Sequence, residues 1–163
     1  MRAALMSLAL LAPSAALADC PGEVVFSCPI KGKVLEVCHD GSAAQYVFGR
    51  PGTPDLTIRE SLATLAFQPW PGIGRTIWQS VRFQNDDVVY EVWSSVDKPM
   101  EENAPDPDWA GGVIVTRADE TLAELACSDP PDPPFLDALY DAKVAVGQCW
   151  NFDSQAWQAA PCP

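Results

Sequence analysis

The sequence predicts a mainly β fold: an antiparallel β-sandwich or flattened barrel with one C-terminal helix and a disulfide-closed tail. Three observations carry this. Short runs rich in Val, Ile, Tyr and Trp recur from Glu23 to Cys127 with turn residues between them. The two longest runs alternate between apolar and polar side chains, as a sheet with one buried face requires. Six cysteines, an even number, all follow an apolar leader.

That leader has the form of a secretory signal. Arg2 is its positive start, Ala3 to Ala12 its apolar stretch, and Ala16-Leu17-Ala18 its small-residue cleavage site. The stretch is half the roughly 20 residues needed to span a bilayer. Asp19 before Cys20 argues against a lipid anchor at that cysteine. Residues 1–18 are therefore expected to leave a single exported domain over 19–163. Within it, 19–127 should form the sheet structure, 128–134 a Pro-rich connector, and 135–163 a helix and tail.

The expected strands run in order. Val24–Cys28 and Lys33–His39 flank Lys31-Gly32, and Asp40-Gly41 turns the chain into Gln45–Phe48. A Gly- and Pro-rich corner, Gly49–Pro54, precedes weaker candidates at Leu56–Ile58 and Leu62–Phe67. Arg75–Phe83 and Val88–Val96 form a long hairpin through Gln84-Asn85-Asp86-Asp87. Ile77, Val81 and Phe83 share one face of the first; Val88, Tyr90, Val92, Ser94 and Val96 share one face of the second. Asp97–Trp109, acidic and Pro-rich, reads as a long exposed loop. Val113–Arg117 and Leu122–Cys127 complete the sheet around Ala118-Asp119-Glu120. Ser128–Pro134 cannot be a strand, because its prolines lack ladder donors. A helix follows over Phe135–Val146, with Leu136, Leu139, Tyr140 and Val144 as its apolar stripe and Gly147 as its stop. The tail should hold a turn of helix near Ser154–Trp157.

Lys and Arg total 10 against 22 Asp and Glu, a net charge of −12. Such a chain repels phosphate backbones and anionic membranes, and it attracts cationic partners. No stable membrane insertion is expected. The cysteines place the domain in an oxidising compartment, the periplasm or the exterior. Cys28 and Cys38 lie on neighbouring strands and predict one bridge. Cys149 and Cys162 bracket the tail and predict another, leaving Cys20 to meet Cys127.

Chemical constellations are sparse. The one histidine, His39, follows Cys38, so on a strand the two side chains point to opposite faces and make no dyad. No serine sits in a nucleophile elbow. Most carboxylates lie in solvated loops, where a catalytic acid cannot hold a raised pKa; Glu91, mid-strand on the face of Trp93, is the exception. Asp106/Asp108 and Asp86/Asp87 supply hard oxygen ligands for calcium, but in no ordered spacing. The sequence thus predicts no catalytic residue, no metal and no cofactor.

The segment Gln68-Pro69-Trp70-Pro71-Gly72-Ile73-Gly74-Arg75 stands out. Prolines stiffen it and glycines allow unusual backbone angles, while no following helix completes a phosphate cradle. It reads either as a recognition loop presenting Trp70, Ile73 and Arg75, or as a tight connection. In the second reading Trp70 caps the core and Arg75 pairs with an acidic neighbour. Among the six tryptophans, Trp78, Trp93 and Trp109 are candidates for a sugar platform or for filling one side of the sheet. Trp150 and Trp157 should seat the tail.

The run Phe26-Ser27-Cys28, Leu35-Glu36-Val37-Cys38, Tyr46-Val47-Phe48-Gly49 and Pro51-Gly52-Thr53-Pro54-Asp55-Leu56, continued by Gly72-Ile73-Gly74-Arg75 and Tyr90, resembles a family of small exported bacterial proteins with no assigned activity. In architecture alone the chain is similar to the periplasmic lysozyme inhibitors, small disulfide-bonded β-structures that insert a loop into a cationic enzyme. The resemblance implies a non-enzymatic periplasmic binding or inhibitor-like protein with a protein partner. The alternative is a carbohydrate or cell-envelope module using exposed tryptophans. Oligomeric state is open.

Overall fold

The structure, a computed structural model, describes residues 20–101 and 107–161. Lys31 and Gly32 take left-handed φ angles of 48° and 79°, the geometry of a two-residue hairpin loop whose twist matches its strands. That loop joins β1 (Glu23–Ile30) to β2 (Lys33–His39), and β3 (Ala43–Arg50) and β4 (Thr53–Ser61) extend the meander into a four-stranded sheet. The second sheet is another meander: β5 (Ala66–Gln68), β6 (Thr76–Asn85), β7 (Val88–Asp97), β8 (Trp109–Arg117) and β9 (Glu120–Ala126). Neither sheet closes on itself, so the architecture is a sandwich rather than a barrel. Helix α1 (Asp137–Ala145) and a hairpin of β10 (Gln148–Asn151) and β11 (Ala156–Ala159) follow.

Alternation decides the faces. Phe26, Leu35, Val37 and Tyr46 from the first sheet meet Val81, Phe83, Val92 and Val113 from the second in one core, which Leu136, Leu139 and Ala142 join from the helix. Tyr46 is central: its ring centroid lies 5.8 Å from Phe83 and 5.4 Å from Tyr90. Its burial, and secondarily Tyr90, push its phenol pKa above the ordinary range. Gly111 lets the sheets approach, because a Cβ there would press on the Phe26 ring at 3.1 Å. Each large side chain in such a core contributes about 1.5–3 kcal/mol through burial.

Polar side chains fix the helix start. Gln79, buried on β6, accepts from the Leu136 N–H at 2.7 Å and donates to Asp137 at 2.5 Å. Ser94 donates to the Pro134 carbonyl. Ser128 and Asp132 donate backbone N–H groups to the carbonyls of Pro29 and Ser27, at 2.8 and 2.9 Å. The connector therefore lies along the outer edge of β1 and satisfies part of it.

Several expectations need correction. The bridges are Cys20–Cys38 and Cys28–Cys127, with Cα separations of 5.8 and 5.6 Å, not Cys28–Cys38 and Cys20–Cys127. Register is the reason: Cys28 stands opposite Leu35, and Cys38 opposite Val24. Three residues along a strand is about 10 Å, too far for a disulfide. Cys28 instead faces the core and reaches Cys127 at the end of β9, while Cys38 faces outward to Cys20. Cys149 is disulfide-bonded; its expected partner Cys162 and the expected signal 1–18 lie outside the described residues. The Gly49–Pro54 corner is a hairpin turn, and most of Leu62–Phe67 is a turn with Leu62 and Leu65 buried. The ends of Asp97–Trp109 belong to β7 and β8. Ser154–Trp157 is not helical but enters β11.

Candidate functional site

The loop between β5 and β6 has a locked base and a free tip. The β6–β7 ladder runs one bond past the strands, where the Lys98 N–H donates to the Arg75 carbonyl at 3.2 Å. Arg75 then grips the opposite strand twice: Nε donates to the Lys98 carbonyl at 3.3 Å, and a terminal nitrogen lies 3.4 Å from Asp97. Thr76 donates to the same Asp97 carboxylate at 2.6 Å. Across the loop, the Lys98 ammonium sits 4.1 Å from the centroid of the Trp70 ring, a cation–π contact. Trp70 is half-buried, and its buried indole N–H has no partner among the described residues.

Above this base, Gly72 and Gly74 take φ angles of 83° and 96°, which favour glycine. They hold Ile73 between them at 80 % exposure. The structure thus brings the three sequence-predicted residues into one loop but divides their work. Ile73 is presented, whereas Trp70 and Arg75 are anchors of the loop. Of the acidic segment expected to assist, Asp97 is engaged at the base and residues 102–106, with Asp106, lie outside the described residues.

The other candidates resolve into structural contacts. His39 accepts from the Gly41 N–H at 3.2 Å through Nδ1 and places Nε2 3.5 Å from Glu23. Glu91 is held by Arg82 through two contacts of 3.0 and 3.2 Å. Asp87 pairs with Arg117 at 2.9 Å, next to Asp86 in the turn. Among the described residues no three His, Cys, Asp or Glu side chains cluster as a metal site. None of the described helices is long and apolar enough to cross a membrane.

Asp40 shows what exposed carboxylates do here. Arg59 donates to it at 2.6 Å, and Ser42 and Ala43 add backbone N–H bonds of 3.0 Å. Arg59 chiefly, then these amides and the Ser42 hydroxyl, hold its pKa well below the carboxylate range. The group closes the β2–β3 turn.

Two features escaped the sequence. Lys143 is wholly buried. Its ammonium donates to the carbonyls of Leu62 and Leu65 at 2.7 and 2.9 Å and lies 4.8 Å from the Trp157 ring centroid. Burial lowers its pKa from 10.5 to about 8. The expected helix stripe named Val144, which is exposed, in place of Lys143. Counting from Leu136 and Leu139 at helical spacing reaches 143, so the signal was present. The second feature is a cavity beneath the β10–β11 hairpin. Ala66, Gln68, Ser80, Arg82, Trp150 and Gln155 contribute to its lining.

No protein-family model, no curated protein and no solved structure matches this chain. The site geometry therefore carries the functional reading by itself.

Proposed function

We propose that the protein is a non-enzymatic, exported periplasmic binding protein of inhibitor type, and that it docks a cationic protein through the Gln68–Arg75 loop. The observation that carries this is Ile73, an aliphatic side chain 80 % exposed at the tip of a loop whose base is fixed. Holding the loop in place before binding lowers the ordering cost that a flexible tip would incur. The net charge of −12 favours encounter with a basic partner. Disulfides support an oxidising environment. In this reading Ile73 enters the partner, and Trp70 and Arg75 set its position.

A panel of cationic lysozymes provides the test, with binding to the oxidised protein measured by surface plasmon resonance and enzyme inhibition measured alongside. Binding to at least one member should fall tenfold or more in Ile73→Asp, with an unchanged melting temperature. Arg75→Ala should weaken it less, through a looser loop. Equal binding by Ile73→Asp and wild type, or binding to none of the panel, would reject this assignment.

A further inference from the structure

Sheet faces that point away from a core ordinarily carry mixed charged side chains. The outer face of the second sheet departs from this at one end. Register places Trp78 beside Ser95, and Ser95 beside Ala110. One row further on, Gln68, Ser80, Trp93, Gly112 and Ala126 stand side by side across all five strands. Trp78 and Trp93 are diagonal neighbours on this face, and every position beside them across the strands is Ser, Gly or Ala. Trp78 is 36 % exposed and Trp93 half-buried. Small side chains thus flank both indoles, with Ser80 and Gly112 buried and Ala110 exposed.

Both ends of that row open into cavities. At the β5 end lies the cavity of about 160 Å³ that Gln68, Ser80 and Trp150 help to line. Trp150 is only 7 % exposed, and its buried indole N–H finds no acceptor among the described residues. A buried donor left unpaired costs about 1–3 kcal/mol, so an acceptor arriving from outside would recover that cost. At the β9 end a cavity of about 300 Å³ is lined by Trp93, Ala110 and Ala126, with Asp108, Asp129 and Pro130 beside them.

We propose that this face is a binding track for an uncharged oligosaccharide, seated on Trp78 and Trp93 and accepting a hydrogen bond from the Trp150 indole N–H through one of its oxygens. The chemistry selects this occupant. Sugar rings present C–H faces to indole and hydroxyls to the polar groups at the rim. A peptide strand gains nothing here, because the interior strands spend their backbone groups on one another and the track offers no edge. Anionic polymers are disfavoured by Asp108 and Asp129, while the nearby cations are already engaged, Arg82 by Glu91, Arg75 by Asp97 and Lys98 by the Trp70 ring. Five strands span about 19 Å at their usual spacing, a length that favours a chain of rings over a single one. This site adjoins the base of the Ile73 loop, because Ser95 and Ala110 line one cavity with Arg75, Asp97 and Lys98, but Ile73 itself does not line that cavity.

Isothermal titration with chitotetraose, cellotetraose and the N-acetylglucosamine monomer tests it on the oxidised protein. One tetramer should bind at least tenfold tighter than the monomer. Trp93→Ala should remove that gain. Ala110→Gln, which adds a long side chain to an exposed position and keeps both indoles, should block binding without altering the fold. Trp150→Phe, which deletes the unpaired donor, should weaken binding severalfold, and Ile73→Asp should leave it unchanged. No heat from either tetramer at millimolar concentration overturns the proposal. So does undiminished affinity in Ala110→Gln, or tighter binding of an oligogalacturonate.

Discussion

The two sheets of this sandwich treat their outer faces in opposite ways. On the first, Cys20 is bonded to Cys38 and folds over Val24 and Val47, so a small apolar cluster is shut beneath it. Beyond it the face carries Glu36, opposite Val47, and Gln45, opposite Arg59. On the second sheet, Trp78 and Trp93 occupy outward positions, the first 36 % exposed and the second half-buried. That open apolar surface is where the proposed oligosaccharide track lies. Covered apolar surface is only packing. The difference separates the stapled half of the molecule from the half that carries both proposed sites.

The largest way to break this contrast is to remove the bridge between the halves. Cys28–Cys127 closes a separation of 99 residues, for which chain entropy alone gives about 4–5 kcal/mol. Cys28→Ala/Cys127→Ala should lose roughly that much in urea denaturation. A loss under about 1 kcal/mol would mean that the sheets hold together by packing alone.

A smaller effect sharpens the contrast from the other side. Cys20–Cys38 spans 18 residues, worth about 3 kcal/mol on the same basis. Its removal should also uncover Val24 and Val47, giving the first sheet an apolar outer patch of its own. Cys20→Ser/Cys38→Ser should bind a hydrophobic dye at pH 7 while retaining native circular dichroism. Native-like dye binding would show that the cover does not depend on the bond.

The smallest concerns the junction of the sheets, where Lys143 holds the turn between β4 and β5 through Leu62 and Leu65. Its folded pKa of about 8 lies below the ordinary 10.5. The unfolded chain therefore binds more protons between these values, and stability rises with pH across that window. Relative to Lys143→Met, the wild type should gain about 2 kcal/mol between pH 7 and 9.5. A pH-independent difference would show that the ammonium is not desolvated. The window stops short of Tyr46, whose raised pKa gives the opposite slope at higher pH.

How much of this was legible follows from what each feature depends on. Period-two alternation is local, so the residues sharing each face of β6 and β7 could be grouped, but whether the face carrying Trp78 and Trp93 points outward was left open. Cysteine pairing depends on register across strands, and a three-residue offset between Cys28 and Cys38 decides it. No local pattern reports such an offset. The β10–β11 hairpin was missed because Trp157 packs on Tyr140 and Phe67, and Trp150 on Trp157, rather than forming an alternating run. Lys143 was hidden by residue type: spacing placed position 143 on the buried face, and charge argued against it. At the loop, the presence of Trp70, Ile73 and Arg75 together was readable, but their division into anchors and tip required Lys98 and Asp97 from the neighbouring strand.

The connector along β1 has a consequence for the order in which this molecule is made. Chains emerge from the ribosome N-terminus first, and β1 is the first of the described strands to appear. The groups that close its outer edge, Ser128 and Asp132, arrive about a hundred residues later, together with Cys127. Until then a strand edge and a reactive thiol stay open in a growing chain, the condition under which strands pair with the wrong neighbour. The edge of the first described strand is closed only after both sheets have been made.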